Sequence, residues 1–327
     1  MAIGIITGSG TYSLPGFEGG EPQMVDSVWG ETLVTRGTLA GAEVLHISRH
    51  EEGHVRLSNH VTHRANIAAL RKLGATGAIA VTVCGAVDPS VELGSLICFD
   101  DLHFLANRLP DGSLCTFHQN AGHRERGHWI YEDPYSPALR AALLAGAQDA
   151  GATMRDGGCY GHVDGPRFNT RAEIRGLAAT GVTAVSQTAG PETVLCGEAE
   201  LPYALVGYAT DYANGVQPEP TPVERLLELI AASTDAFAHL LAAAGVTAVS
   251  QTAGPETVLC GEAELPYALL GYATDYANGV TDEATPVQEL LERIASSTGA
   301  FAAVLAHALP ALTAARPSPL GVVHRFE

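Results

Sequence analysis

The sequence predicts an α/β fold in which helices flank a central, largely buried mixed β-sheet. Short apolar segments rich in β-branched residues alternate with segments whose apolar residues recur at helical spacing, and this alternation continues to the C-terminus. The chain has 327 residues, of which 46% are hydrophobic, enough for one large core or one domain with an addition. Ligands in such folds bind at the carboxyl ends of the strands, so polar residues there are candidate functional residues.

The first half of the chain contains most of the predicted strands. Residues 2–7 (AIGIIT) are apolar and lead into a Gly-Ser-Gly turn, the pattern of a buried strand that ends in a tight turn. Two further strands are predicted within residues 31–48. Residues 60–74 carry apolar residues at helical spacing and end in glycine, which predicts a helix. Buried strands follow at residues 77–83 and 93–99.

Residues 107–137 differ in composition from their surroundings. They are polar and rich in His and Gly, with few periodic apolar positions, and we predict a long loop before a helix at about 137–150. The loop contains one cysteine and three histidines that superficially resemble a metal site: Cys115, His118, His123 and His128. Their spacing matches no standard zinc pattern, so the sequence favours no metal site.

A tandem duplication is the clearest feature of the second half. The segment GVTAVSQTAGPETVLCGEAELPYALVGYATDYANGV begins at Gly181 and recurs 64 residues later, with Val206 against Leu270 as the only difference. This near-identity indicates a recent duplication or an assembly error. The two copies cannot both occupy one place in a sheet. We therefore predict a domain over residues 1–244 that includes the first copy, and a duplicated segment with a tail over residues 245–327.

Charge and cysteine usage narrow the class of protein. Lys and Arg total 18 against 36 Asp and Glu, a formal charge of −18 that repels nucleic-acid backbones and anionic lipids. We expect neither nucleic acid nor membrane as a partner. The six cysteines form no CxxC pair, which favours reduced thiols over a disulfide framework. The N-terminus does not read as a signal peptide, and the sequence predicts a cytoplasmic protein.

Several polar residues follow predicted strands and could bind an anion. In the Gly-Ser-Gly turn, backbone amides and the Ser9 hydroxyl could hold phosphate, although such a turn is more often only a turn. Arg49 offers a planar fork of donors and His50 adds a donor, but an ion pair with the following glutamates explains Arg49 equally well. Thr82 and Thr188 end predicted strands, where their hydroxyls could converge on a ligand, although each alone is more often only a β-branched strand residue.

Three further residues could contact an aromatic ligand or a leaving group. Phe168 could stack on a ring, and Asn169 could reach its polar edges, although a cap at a helix N-terminus is an alternative for the asparagine. Asp211 ends an apolar strand, where a carboxylic acid can protonate a leaving base. A turn-capping role is the alternative for this aspartate.

Taken in order, these motifs resemble the purine-nucleoside and methylthioadenosine phosphorylase family. The matching segments are IGIITGSGTY, SRHEEGH, HRANIAALRKLG, VTVCGAV, GPRFNTRAEI, PETVL and YATDYA. The resemblance implies a single-domain nucleoside phosphorylase fold, a homotrimer, and active sites near the subunit interfaces. It also implies reversible attack of inorganic phosphate on C1′ of a purine nucleoside, without metal or organic cofactor.

Roles carry over from the resemblance by position. The implied phosphate-binding residues are Ser9, Arg49, His50, Thr82 and Thr188. The implied substrate-binding residues are Val83, His128, Phe168, Asn169, Gln187, Tyr212, Ala213, Val223 and Leu226. Asp211 matches the acid that donates a proton to purine N7. The family's counterpart of His128 reaches the neighbouring subunit's site, and Val223 and Leu226 match an apolar 5′ pocket that favours an alkylthio group.

Departures from the family bear on specificity. Ala213 stands where methylthioadenosine phosphorylases usually have an aspartate that helps to select a 6-amino purine. Gln187 stands where the family usually has methionine under the ribose, and Asn169 matches neither of the residues expected there. Together these changes suggest a specialised substrate, or an impaired enzyme.

The second copy offers its own candidates for three site positions: Gln251, Thr252 and Asp275. We expect the first copy to form the site, because it follows GPRFNTRAEI at the family's usual distance.

Three other functions remain open at this stage. A nucleosidase would use water in place of phosphate, although the whole phosphate set is retained. A non-catalytic nucleoside-binding protein would result if the duplication had impaired the fold. A dinucleotide-dependent oxidoreductase is suggested only by the glycine-rich first turn, and no suitably placed acidic residue supports it.

Overall fold

In the computed structural model, residues 2–122, 126–131, 133–244 and Glu292 are described, and these residues build an 11-stranded mixed sheet flanked by helices. The strands are β1 Ala2–Thr7, β2 Phe17–Ser27, β3 Gly30–Leu39, β4 Ala42–Ser48, β5 Ala75–Ala86, β6 Leu96–Cys98, β7 Asp101–His103, β8 Met154–Asp156, β9 Cys159–His162, β10 Val182–Ser186 and β11 Tyr203–Tyr212. The helices are α1 His63–Lys72, α2 Pro137–Asp149, α3 Arg171–Ala179, α4 Ala189–Glu198 and α5 Val223–Ala243, with 3-10 turns at Glu52–His54 and Ser58–His60.

Strand β5 is the branch point of the sheet. It pairs in parallel with β1 on one side and with β11 on the other, and its last residues also pair with the antiparallel strand β10. The main path runs β2-β3-β4-β1-β5-β10-β9-β7, while β11 continues to β6 and β8. This topology brings the carboxyl ends of β1, β5 and β11 to one edge, where ligands bind in α/β folds.

Both faces of the sheet are covered, because successive strand residues point to opposite sides. On β1, Ile6 packs into one core cluster with helices α1 and α4, while Ile5 packs into a second cluster with α2 and α5. On β5, Ala80 and Val81 divide in the same way between the two clusters. Strands covered on both faces need continuous apolar runs, which is what these segments have.

The predicted mixed α/β fold is confirmed, and so are the strands at the N-terminus and the helices at residues 60–74 and 137–150. Strands β2, β7, β8 and β9 were not predicted. Within residues 107–137, the described positions show an isolated bridge between Arg108 and Leu114, in keeping with the predicted loop. The domain boundary after residue 244 stays a prediction, and the second copy's Gln251, Thr252 and Asp275 lie outside the described residues.

Helix α5 combines length with apolar composition. Among the described residues it is the one helix long and apolar enough to cross a membrane, with 21 residues and a mean hydropathy of 1.4. Leu229, Phe237 and Leu240 on this helix are buried in the core cluster shared with α2. A core helix passes the same length and hydropathy test.

Val206, in the first copy of the repeated segment, is tightly packed within the sheet. This residue lies on β11 between Val81 and Cys98, with none of its surface exposed. We expect Val206→Leu, the residue found in the second copy, to lower the free energy of unfolding by about 1–3 kcal/mol, because a packed core resists an added methylene. Urea denaturation would measure this loss. Val28→Leu, at a position 92% exposed, is the control and should change stability little.

Candidate functional site

A cavity of about 290 Å³ opens at the carboxyl ends of β1, β5 and β11. All but four of the residues predicted for the site lie on its wall: Ser9, His50, Thr82, Val83, Phe168, Asn169, Gln187, Thr188, Asp211, Ala213 and Leu226. The described structure places the other four, Arg49, His128, Tyr212 and Val223, away from this wall. Residues far apart in sequence therefore converge on one site, while their individual roles stay predictions.

The Gly8–Ser9 turn brings Ser9 to the cavity wall. The amide of Thr11 donates to the Gly8 carbonyl at 3.1 Å, which closes the turn directly after β1. A side chain at position 8 would place its Cβ 2.6 Å from Nη1 of Arg49, so glycine is required for the close approach of this arginine. The turn thus presents Ser9 to the cavity with a buried cation directly behind it.

Hydroxyl groups and a helix N-terminus also border the cavity. Oγ of Thr82 lies 3.0 Å from Oγ of Ser186, a residue that the sequence analysis missed and that also lines the cavity. Thr188 is the residue immediately before α4, so the positive end of the helix dipole points to the same region. Hydroxyls beside a helix N-terminus form a suitable site for an anion such as phosphate.

Arg49 is fully buried, and its guanidinium is occupied by protein partners. Its Nε and Nη2 donate to the two carboxylate oxygens of Glu192 at 2.7 and 2.8 Å, and its Nη1 donates to the carbonyl of Val81 at 2.8 Å. Burial by itself would lower the pKa of Arg49, but the Glu192 carboxylate raises that pKa overall. The structure therefore does not place Arg49 in contact with the cavity. The alternative surface ion pair of Arg49 with Glu51 or Glu52 does not form among the described residues.

His50 lies on the cavity wall and is anchored from behind. Its Nδ1 lies 2.7 Å from the carbonyl oxygen of Arg56, and its ring stacks on His54 with the ring centres 4.3 Å apart. Burial and then the charge of Arg49 lower the pKa of His50 to about 4, although the hydrogen bond to Arg56 acts in the opposite direction. The imidazole is therefore neutral at physiological pH.

Gln187 lines the cavity, and both the oxygen and the nitrogen of its side-chain amide are hydrogen-bonded to the protein. Its Oε1 accepts from the Ser58 hydroxyl at 3.0 Å, and its Nε2 donates to the Arg167 carbonyl at 3.1 Å. Any side chain at Gly165 would collide with the Gln187 amide and the Ser58 hydroxyl. Gln187 thus joins the segment before Phe168 to the loop after His50, in addition to its expected place beside a sugar.

Asp211 reaches the cavity from β11, which lies on the opposite side of β5 from β1 and the Ser9 turn. Among the described lining residues it is the one carboxylate, and burial raises its pKa more than the hydrogen bond from Thr210 at 2.9 Å lowers it. A Cβ at Gly85 would lie only 3.2 Å from the Asp211 carboxylate, so glycine there leaves room for this acid. A carboxyl with a raised pKa can act as a general acid near neutral pH.

Amides and an exposed aromatic ring surround Asp211. Nδ2 of Asn214 donates to the carbonyl of Asn169 at 2.8 Å, and the side chain of Ala213 is buried beside the acid. Phe168 is 63% exposed at the rim, where its ring is available for stacking. The cap of α3 is Thr170, which forms a capping box with Glu173, and the Asn169 side chain also donates a hydrogen bond to the Glu173 carboxylate.

Helix α5 supplies an apolar wall. Leu226 lines the cavity as predicted, together with Ile230 one turn later, which the sequence analysis did not identify. Val223 is 64% exposed at the start of the helix. The hydroxyl of Tyr212 donates to the Val91 carbonyl at 3.0 Å, which turns its side chain away from the ligand space.

The histidine-rich loop lies apart from the cavity. His128 is exposed, whereas Cys115 is buried, with its Sγ 3.7 Å from the Pro191 carbonyl. His123 lies outside the described residues. Among the residues that the structure does describe, no group of three or more His, Cys, Asp or Glu side chains could hold a metal ion.

Comparison of the amino-acid sequence with those of known proteins identifies similar nucleoside phosphorylases. The chain is 34% identical over 215 residues to S-methyl-5′-thioadenosine phosphorylase of Bradyrhizobium diazoefficiens, covering 64% of this chain and 70% of that protein. It is 31% identical to 6-oxopurine nucleoside phosphorylase of Pyrococcus furiosus, covering 74% and 91%. It is 35% identical to a probable S-methyl-5′-thioinosine phosphorylase of Xanthomonas campestris, covering 72% and 93%.

A solved structure supports the same assignment at the level of the fold. Methylthioadenosine phosphorylase from Schistosoma mansoni, in complex with adenine, superimposes with a TM-score of 0.67 at 24% identity, covering 75% of this chain and 90% of that one. The family model described as the phosphorylase superfamily matches residues 2–244, which are most of the chain and include every residue assigned to the cavity. The chain therefore belongs to the phosphorylase superfamily.

Proposed function

We propose that this protein catalyses the phosphorolysis of a 5′-modified purine nucleoside, giving the free base and a 5-substituted ribose 1-phosphate. One observation carries the proposal: a single cavity is lined by hydroxyls beside a helix N-terminus and by a buried carboxyl whose pKa is raised. We assign the anion site to Ser9, Thr188 and the N-terminus of α4, and the proton donor to Asp211. The names of the similar proteins support the same reaction class.

The chemistry follows from this arrangement. A phosphate oxygen forms the new bond to C1′ of the sugar while the bond between C1′ and N9 of the purine breaks. Asp211 donates its proton to N7, so that the base leaves without accumulating negative charge. Holding phosphate and nucleoside in one cavity turns a reaction between two solutes into a reaction within one complex.

We infer a preference for 6-oxopurines at the base end. Asp211 is the one carboxyl group among the described lining residues, and its proton is assigned to N7. Ala213 therefore offers only a methyl group at the position where a second carboxylate would accept a hydrogen bond from a 6-amino group. The Asn214 side-chain amide gives one N–H to the Asn169 carbonyl, and its second N–H can donate to a 6-oxo group. Two of the similar proteins are named for 6-oxopurine or thioinosine substrates, which supports this preference.

The apolar wall of α5 and the loop that carries His128 are proposed to surround the 5′ position of the sugar. Leu226 and Ile230 favour an alkylthio group at the sugar's 5′ position over a free hydroxyl, because burial of a hydroxyl without a partner is costly. We further propose a homotrimer in which His128 of each subunit reaches the neighbouring 5′ pocket. The exposure of His128 and of Ile130 beside it supports this arrangement.

The proposed reaction involves only small molecules. Inorganic phosphate is a co-substrate, and the proton donor and the anion site are supplied by the chain, so no metal or organic cofactor is required. We propose a cytoplasmic enzyme of purine salvage, a location that fits five cysteines that are free thiols in the described residues. The strong negative charge supports the absence of nucleic-acid and membrane partners.

The deciding experiment measures base release with and without inorganic phosphate. Purified protein is incubated with 5′-methylthioinosine, 5′-methylthioadenosine, inosine and adenosine, and the free base is quantified. We expect release only with phosphate, and fastest from 5′-methylthioinosine. Release without phosphate would identify a nucleosidase. Binding without turnover of any of these nucleosides would identify a non-catalytic nucleoside-binding protein.

Ala213→Asp is expected to shift the base preference toward adenine. The new carboxylate would accept a hydrogen bond from a 6-amino group and would repel a 6-oxo group. We expect the ratio of kcat/KM for 5′-methylthioadenosine to that for 5′-methylthioinosine to rise by about tenfold or more, the effect of one polar contact. Ala213→Asn, of the same size without the charge, is the matched control. An unchanged ratio in Ala213→Asp would contradict the assignment of this position to the base.

A further inference from the structure

The imidazole of His50 is held in one tautomer by the backbone. Its Nδ1 lies 2.7 Å from the carbonyl oxygen of Arg56, and the amide of Arg56 donates to the carbonyl of His50 at 3.0 Å. A carbonyl oxygen can only accept, so Nδ1 carries the proton of the neutral ring. Nε2 is then the ring nitrogen left to serve the cavity that His50 lines.

The surroundings of the ring keep it neutral. The titratable and charged groups that act on it are the Arg49 guanidinium, the stacked ring of His54 and the buried ring of His63. The side chain of Arg56, whose carbonyl holds Nδ1, is paired with Glu51. Burial and the Arg49 charge lower the pKa of His50 to about 4. A neutral imidazole with its proton on Nδ1 presents a lone pair on Nε2, so His50 is an acceptor toward the cavity.

We propose that His50 binds phosphate as a hydrogen-bond acceptor, with the P–OH group of hydrogen phosphate donating to Nε2. This inference rests on the proposed phosphorolysis and reverses the donor role expected from the sequence. The unprotonated phosphate oxygens then face the donors at the same end of the cavity, namely the hydroxyls of Ser9 and Thr188 and the N-terminus of α4.

The proton balance of the reaction gives this contact a catalytic purpose. As an unprotonated phosphate oxygen bonds to C1′ and the bond from C1′ to N9 breaks, the P–OH proton passes to Nε2 of His50. The Asp211 carboxyl gives its proton to N7 of the base. The products are the neutral base, the ribose 1-phosphate dianion, an imidazolium and a carboxylate. Proton exchange with water then restores the neutral His50 and the protonated Asp211.

The pH dependence of sulfate binding distinguishes a site in which His50 is an acceptor from a site that contains only donors. Sulfate has the size and shape of phosphate, but it carries no proton near neutral pH. Its oxygen would face the lone pair of Nε2 unless His50 takes up a proton from water. Sulfate binding should therefore consume one proton, and its affinity should fall about tenfold for each pH unit, whereas hydrogen phosphate brings its own proton.

The test compares the inhibition constant of sulfate with the KM of phosphate between about pH 7.5 and 8.5. We expect the inhibition constant to rise about tenfold across this range, while the KM of phosphate changes less than about twofold. Titration of any other group in the site would move both constants together, so their ratio isolates His50. Equal pH dependence of the two constants would overturn the proposal.

His50→Gln provides the matched variant, because a glutamine amide can donate to sulfate without taking up a proton. We expect sulfate binding to this variant to become independent of pH over the same range, as measured by calorimetry whether or not the variant turns over. A pH dependence that persists in His50→Gln would also overturn the proposal. Calorimetry on the wild type tests His50 even if no base is released, so failure of the proposed function remains distinguishable.

Discussion

Asp211→Asn is expected to lower kcat for 5′-methylthioinosine by about 10²–10⁴-fold, the usual contribution of a general acid. The amide keeps the size of the side chain and can donate a hydrogen bond to N7, but it cannot transfer a proton there. The KM for phosphate should change little, because the residues proposed to bind phosphate do not include Asp211, which lies across β5 from Ser9. Steady-state kinetics with both substrates varied would measure this separation.

A 7-methylated purine nucleoside provides the control for this variant. Its base already carries a positive charge and leaves as a neutral molecule without a proton on N7. The loss of kcat in Asp211→Asn should therefore be much smaller with this substrate than with 5′-methylthioinosine. Equal losses with both would contradict proton donation by Asp211. Because burial raises the pKa of this acid, the wild-type kcat should fall as the pH rises through that pKa.

Glu192→Gln is expected to lower the free energy of unfolding by about 3–5 kcal/mol, as when a buried ion pair loses one partner. Glu192 and Arg49 are both fully buried, and two hydrogen bonds join the carboxylate to the guanidinium. The amide retains the shape but leaves the arginine charge uncompensated in the core. Urea denaturation at neutral pH would measure the loss.

Two control variants separate charge burial from a general effect of substitution. The double variant Arg49→Met with Glu192→Leu removes both charges and should regain most of the lost stability, because apolar residues can replace a buried pair. Glu228→Gln breaks the exposed pair with Arg225 and should change stability by less than about 0.5 kcal/mol. If the double variant were less stable than Glu192→Gln, the uncompensated charge would not be the cause.

The buried part of the fold could be predicted from sequence because its signal is local. Strands β1 and β5 are covered on both faces, so their apolar runs are continuous. Strand β2 was missed because it is largely exposed and carries Gly19, Gly20 and Pro22, which remove the apolar alternation. The three-residue strands β7 and β8 are too short to show any period.

The sequence predicted site residues only where the residue type and its place after an apolar strand indicate contact with a ligand. Thr82 and Asp211 could be identified because each follows an apolar run, although β5 continues beyond Thr82 to Ala86 and β11 continues to Tyr212. The pairing of Arg49 with Glu192 joins residues 143 positions apart, and that of Gln187 with Ser58 joins residues 129 positions apart. Such contacts depend on strand order and loop paths, which residue types and spacing do not encode. The role of Arg56 in fixing the His50 tautomer depends on a backbone carbonyl, which no side-chain motif reveals.

The position of β10, α4 and β11 in the sheet limits what the duplication can achieve. This repeated unit contributes Thr188 and Asp211, but Ser9, His50 and Thr82 come from residues that occur once in the chain. A spare copy of the unit therefore cannot assemble a second catalytic centre within the same polypeptide. The duplicated segment is free to accumulate substitutions while one copy sustains turnover, and a tight-binding inhibitor should titrate one site per chain.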